Sequence, residues 1–331
     1  MRVDGPNPVP PGVRAVELPE HAPDGWLRET FGKLRTEAVL ERYALGGGAA
    51  LEAASDLGLP HALEVNAPLV DEATRFRGLQ DPERWRQLER SLLAQAAHIV
   101  VVSSALRDHA IASGADPSSV VVIPNGVDLE LFHGGGGAAV RARLGLGSAL
   151  VVGFAGSLKP WHGVRMLIEA AALLPTNVRI LVVGEGPERE VLERLAAAHG
   201  LRDRAVFTGG IPHADVPAYL DAMDIATAPF EPMAGFYFSP LKVAEYMAAG
   251  LPVVASRQGD IPDLLDDAGL LVQPGDVAAL SDALLRLATD SDLRHRLGDA
   301  ARARAQGMSW ESVAERVEGV LTGGRLVGAR H

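Results

Sequence analysis

Ser239, Pro240 and Lys242 stand at the head of the stretch GFYFSPLKVAEYMAAGLPVV (residues 235–254), and Glu245 follows Lys242 by three positions. A serine suits a helix N-cap, a proline at the first helical position gives up an N–H that has no intrahelical partner, and Gly250 followed by Pro252 stops the run. These signals predict a helix over residues 240–249. The amides and positive end of such a helix attract an anion, and Lys242 adds a full charge in the first turn. Without a ligand the same residues make an ordinary capped helix with a Lys242–Glu245 surface pair. A second donor-rich turn is FAGSLKPWHG (residues 154–163), where Ser157, Lys159 and His162 can donate hydrogen bonds to an anion beside Trp161. Two such turns after strands of one sheet could hold a diphosphate from both sides. A third turn, GEGPERE (residues 184–190), also lets its backbone approach a phosphate or ribose. Arg189 occupies the place of the third glycine of a dinucleotide fingerprint, which argues against a nicotinamide dehydrogenase.

Other chemistries find little support. The chain has no cysteine, so disulfides and thiolate zinc sites are excluded and a cytoplasmic location is expected. His109, His162, His199 and His213 sit singly, without ligand spacing. Asp290-Ser291-Asp292 resembles a metal-binding pair of aspartates but lies between two helical patterns, where aspartates cap helices, and no metal site is expected. A net charge of −11 over 331 residues argues against a nucleic-acid partner.

The elements that must position these turns alternate. Short apolar runs (VLERY, HALEV, IVVVSS, VVVIP) separated by helical patterns predict an α/β fold with a parallel sheet, and a more regular series starts at LVVGFAG. The expected layout is a disordered Pro/Gly-rich lead over residues 1–25, a Rossmann-like domain over residues 26–133 completed by a C-terminal helix over residues 309–322, a linker over residues 134–148, and a second Rossmann-like domain over residues 149–308. Parallel sheets that face a cleft place a ligand between their strands' C-terminal ends. No apolar run reaches the length of a membrane span, although RWRQLERSLLAQAA is amphipathic enough for peripheral membrane contact if it is not simply a packed surface helix.

In the order IPNGVDLELF, FAGSLKPWHG with LIEA, LVVGEGP, FTGGIPHADVPAYLDAMDIATAPF, EYMAAGLPVVAS and GLLVQPGD, the chain resembles the retaining family 4 glycosyltransferases of the GT-B fold from about Val39 to Leu321. The resemblance implies a hexosyltransferase that takes a nucleotide-diphosphate sugar, a UDP-sugar ahead of a GDP-sugar, in the second domain and a hydroxyl-bearing acceptor in the first, with retention and no metal or other cofactor. It implies that Glu245 holds the ribose, that Ser239, Pro240, Leu241 and Lys242 wrap the diphosphate, that Gly186 lies against the donor with Gly156, Tyr237 and Phe238 also on the donor side, and that the backbone of Ile211 receives the base. The pattern departs from the family at Tyr237, which replaces a sugar-contacting glutamate. Ser157 and His162 replace a basic pair, and Asn66 replaces a histidine. Lys159 and Lys242 are expected to stabilise charge on the leaving diphosphate, and Glu64 is a candidate base. An epimerase or phosphorylase on the same plan and a non-catalytic nucleotide-sugar binder are the alternatives. The first domain is expected to be incomplete at its N-terminal side, with transfer weakened as a result.

Overall fold

The protein is described by a computed structural model over Val16, residues 23–132 and residues 134–323. Most of the expected lead lies outside the described residues. The first half runs α1 (Trp26–Leu34), β1 (Val39–Arg42), α2 (Ala49–Leu57), β2 (His61–Val65), α3 (Leu69–Arg77), α4 (Pro82–Gln95), β3 (Ile99–Val101), α5 (Ser104–Ala112) and β4 (Val120–Val122). The second half runs α6 (Gly137–Leu144), β5 (Leu150–Ala155), α7 (Val164–Ala171), β6 (Val178–Val183), α8 (Arg189–Ala198), β7 (Ala205–Phe207), α9 (Val216–Leu220) and β8 (Ile225–Ala228). It continues through α10 (Leu241–Ala248), β9 (Val253–Ser256), α11 (Ile261–Leu265), β10 (Gly269–Val272), α12 (Val277–Thr289), α13 (Ser291–Ala305) and α14 (Trp310–Leu321).

All strand pairs are parallel: one sheet is ordered β1-β2-β3-β4 and the other β10-β9-β8-β5-β6-β7. In the larger sheet the order reverses between β5 and β8, so the turns leaving those two strands diverge and open a crevice at their carboxyl ends. Apolar residues cover both faces of this sheet: Leu181, Tyr246 and Ala226 belong to one core layer, and Ile180, Leu167 and Leu284 to the other. The strands are therefore near-continuously hydrophobic, the pattern that a sheet buried on both faces demands.

Asp290 caps α13 by accepting from the Leu293 amide at 2.8 Å, which is the structural role expected for an aspartate at a helix start. Among the described residues no cluster of three metal-ligating side chains occurs. The stretch expected to be a linker instead contains α6. Its first amide donates to Asp221 Oδ2 at 2.8 Å, and Val140 is buried in the second domain, so those contacts overcome the flexibility of the glycines. The amphipathic helix α4 turns Leu92 and Leu93 into the first domain's core while Leu88 stays exposed on it. No helix among the described residues is long and apolar enough to cross a membrane. Helix α14 returns across the chain and packs Val313, Val317 and Val320 against Ala62 and Val100 of the first sheet and Ile123 just after β4.

Candidate active site

The floor of the crevice is backbone packed on backbone. The Gly156 amide donates to Val183 O at 2.9 Å and the Leu158 amide to Glu185 O at 2.9 Å, tying the turn after β5 to the turn after β6. Gly184, at φ 139°, lies so near its neighbour that an added Cβ would sit 1.9 Å from the Gly156 carbonyl oxygen. An added Cβ at Gly186 would lie 2.6 Å from both the amide nitrogen and the carbonyl oxygen of Leu158, so this glycine is already required by turn-on-turn packing before any donor is considered. Tyr246, fully buried on α10, accepts from the Ala155 amide at 2.7 Å and donates to the Ala155 carbonyl at 3.1 Å, which fixes the end of β5 against the helix.

Lys242 rises from α10 into this floor. Its ammonium is buried without any hydrogen-bond partner, 4.2 Å from the Phe154 ring centroid and 5.2 Å from that of Phe230. A Cβ built on Gly156 would come within 2.9 Å of Lys242 Nζ, so the charge lies directly under the turn after β5. Burial pulls its pKa from 10.5 to about 7, with only partial compensation from the Glu245 carboxylate. Glu245 does not form the expected surface pair with it. Glu245 instead lies 3.1 Å from the Nε2 of His213, which opens the 3-10 turn before α9, while the Lys242 ammonium is buried.

The expected Ser239 cap is also corrected. The helix starts at Leu241 after Pro240, and the Ser239 hydroxyl accepts from the Asn125 amide at 3.0 Å while its carbonyl accepts from Asn125 Nδ2 at 3.2 Å. Serine oxygen is thus spent on the first domain rather than on its own helix.

The loop after β5 behaves differently from its sequence reading at one atom. His162 Nδ1 stands 2.5 Å from Ser157 O, and since a carbonyl only accepts, Nδ1 carries the proton. Burial and the nearby Lys242 charge hold the imidazole pKa down to about 4. At neutral pH His162 Nε2 is therefore an acceptor, and His162 cannot serve the ligand-free site as an anion donor. Lys159 is exposed at the rim with its ammonium 5.0 Å from the Trp161 ring, whereas the Lys242 ammonium is buried in the floor.

Beside the loop after β5 lies a cavity of about 750 Å³, walled by Ser157, Lys159, His162 and Phe238 of the second domain and by Glu72 and His109 of the first. Phe238 packs edge-on against Phe236 at 5.2 Å, and Tyr237 reaches across to the first domain. Glu64 is held by Arg42 Nε at 2.9 Å, Asn66 has a buried Oδ1 without a partner, and Ile211 packs at the edge of the second domain's core beyond β7.

Several residues of this wall escaped the sequence reading. Glu72 sits in the first turn of α3, where an acidic residue needs no other explanation than the helix dipole, and His109 appeared as a single histidine on a helix. His109 Nε2 rests 3.5 Å from the buried Glu89 Oε1, whose carboxylate raises the imidazole pKa; burial, reinforced by the same carboxylate, pushes the Tyr43 hydroxyl up as well. Glu89 and His109 are 20 positions apart, and no local signal joins them.

The comparisons agree with this architecture. Residues 149–290 match the family described as glycosyl transferases group 1, and residues 2–126 match the glycosyl transferase 4-like domain. A D-inositol 3-phosphate glycosyltransferase of Saccharomonospora viridis is 32% identical over 313 residues, spanning 86% of this chain and 72% of that protein. The protein of the same name in Streptomyces coelicolor is 30% identical over 319 residues, spanning 86% and 68%. HepE of Anabaena, solved in complex with UDP, has the same fold with a TM-score of 0.76 at 22% identity, covering 90% of this chain and 82% of that one. Sucrose-phosphate synthase of Thermosynechococcus elongatus superposes with a TM-score of 0.70 at 25% identity, covering 89% and 75%. With two parallel-sheet domains around a crevice and relatives of this kind over most of its length, the chain belongs to the group 1 glycosyltransferases of GT-B fold.

Proposed function

We propose that this chain moves a glycosyl group from a nucleoside-diphosphate sugar, a UDP-sugar ahead of a GDP-sugar, to an acceptor hydroxyl with retention of configuration and without a resident metal. The observation that carries this reading is Lys242, a buried ammonium without a hydrogen-bond partner under the Gly156 turn at the reversal of strand order. An unpaired charge in an apolar surrounding is costly, and a diphosphate lying across the turn would supply the missing counter-charge. Charge grows on the leaving diphosphate as the glycosidic bond stretches toward an oxocarbenium-like state, so Lys242 binds that state more strongly than the intact donor. Glu245, already positioned by His213, accepts from ribose hydroxyls. The acceptor attacks from the face that the diphosphate leaves, and its proton passes to the departing phosphate oxygen. Glu64 is a weaker candidate for that proton because its carboxylate is already engaged by Arg42 Nε at 2.9 Å.

The name shared by the curated relatives makes a phosphorylated polyol the first acceptor class to assay, and a nucleotide-sugar donor suits a cytoplasmic enzyme. The test is calorimetric titration with UDP and GDP, followed by NMR of the product anomer from UDP-sugars with and without acceptor. Micromolar UDP binding and a retained anomer are expected. Failure of every nucleoside diphosphate to bind would overturn the reading, and tight UDP binding without any donor turnover would turn it toward a nucleotide-sugar binder.

A further inference from the structure

The residue eight positions before Glu245 is Tyr237, so the second domain offers no carboxylate there. The structure returns one from the other domain. The Tyr237 hydroxyl donates to Glu72 Oε1 on α3, and Arg77 Nη2 lies 3.5 Å from Glu72 Oε2. The Tyr237 backbone is itself anchored, since Ser103 Oγ donates to its carbonyl at 2.7 Å, so the ring is held toward α3 rather than toward solvent. Glu72 and Tyr237 line the same cavity as Ser157, His162 and Phe238. A sugar carried on a diphosphate at Lys242 would extend past His162 into that cavity and meet the Glu72 wall.

Resting on the donor reading above, we propose that Glu72 is the specificity residue that accepts hydroxyl hydrogen bonds from the transferred sugar, with Tyr237 as its positioning residue. A carboxylate has about four acceptor sites, and the tyrosine and arginine take one each, so lone pairs remain for sugar hydroxyls. With its side chain 21% exposed, Glu72 is open to a ligand while largely shielded from bulk water. Because the carboxylate comes from the first domain and its holder from the second, the sugar contact exists only when the two are closed on each other.

The test uses the full chain and two probes, UDP and a UDP-hexose, titrated by calorimetry. Glu72→Gln should bind UDP within about twofold of the parent and lose about tenfold in UDP-hexose affinity, as expected for a lost charge-assisted hydrogen bond. Tyr237→Phe should act in the same direction by about threefold, since the carboxylate stays but is no longer held. Adding Tyr237→Glu to Glu72→Gln should recover part of the loss. An unchanged UDP-hexose Kd in Glu72→Gln, with UDP still bound, overturns the assignment alone. Equal weakening of UDP and UDP-hexose would make the pair an interdomain latch and also overturn it. A parent chain that binds no UDP overturns the donor reading and this assignment with it.

Discussion

Lys242 combines a buried ammonium, no hydrogen-bond partner and a pKa drawn from 10.5 to about 7. Between those values the unfolded chain holds a proton that the folded chain lacks, so this group makes the ligand-free protein more stable as pH rises from about 7 toward 10.5. The slope it contributes approaches 1.4 kcal/mol per pH unit, roughly the linkage value for one proton. A bound diphosphate would restore the proton, so UDP affinity should fall with rising pH in the same window, with proton uptake seen as buffer-dependent binding heats. Lys242→Met should abolish that pH dependence and weaken UDP binding at least about tenfold. It should also stabilise the free protein by roughly 1–3 kcal/mol at pH 7, because an isosteric apolar chain replaces a buried charge. A pH-independent UDP affinity in the parent would show that Lys242 does not face the phosphates. Glu245→Ala should cost roughly 1–3 kcal/mol of donor affinity while leaving thermal unfolding nearly unchanged, which calorimetry and a melt would check together.

At the scale of elements, the site depends on how close two strand-exit turns can come. Gly184→Ala would place a Cβ 1.9 Å from a carbonyl oxygen at a φ that L side chains rarely adopt. Both the turn after β5 and the turn after β6 must then shift. Denaturant unfolding should show a loss of roughly 2–4 kcal/mol, the sum of backbone strain and overpacking, and UDP binding should weaken as the Gly156 turn moves off Lys242. Caps and glycines placed the starts of α10 and α14 within one residue, at Leu241 against 240 and Trp310 against 309, while α6 lies in a stretch that reads as a linker. The exception is instructive: Ser239 has the right chemistry for a cap and the right position, yet Asn125, 114 positions away, captures its hydroxyl first.

Across the whole molecule, the donor segment is tied to the first domain. Asn125 bonds both the hydroxyl and the carbonyl of Ser239, and the Ser104 amide donates to Asp260 Oδ2 at 2.7 Å. These bonds couple donor geometry to the position of the first domain, and polar bonds of this kind contribute about 0.5–1.5 kcal/mol each. Asn125→Ala keeps the backbone bond to the Ser239 hydroxyl and removes only the side-chain bond to its carbonyl; it should leave both domain cores folded and reduce transfer more than UDP affinity. A larger radius of gyration by solution scattering should accompany the loss of turnover. Unchanged turnover would show that closure does not depend on this side-chain bond.

The sequence by itself determined the alternation of strands and helices, the two donor-rich turns and the order of motifs, because periodicity, capping and glycine placement are local properties. Which atoms face a ligand was decided by tertiary structure. The direction of Lys242 follows from the packing of α10 beneath Phe154 and Phe230, and the tautomer of His162 follows from the carbonyl that the folded loop sets against it. Glu72 and Tyr237 stand 165 positions apart, and only two folded domains closed over one cavity bring that carboxylate and that hydroxyl together.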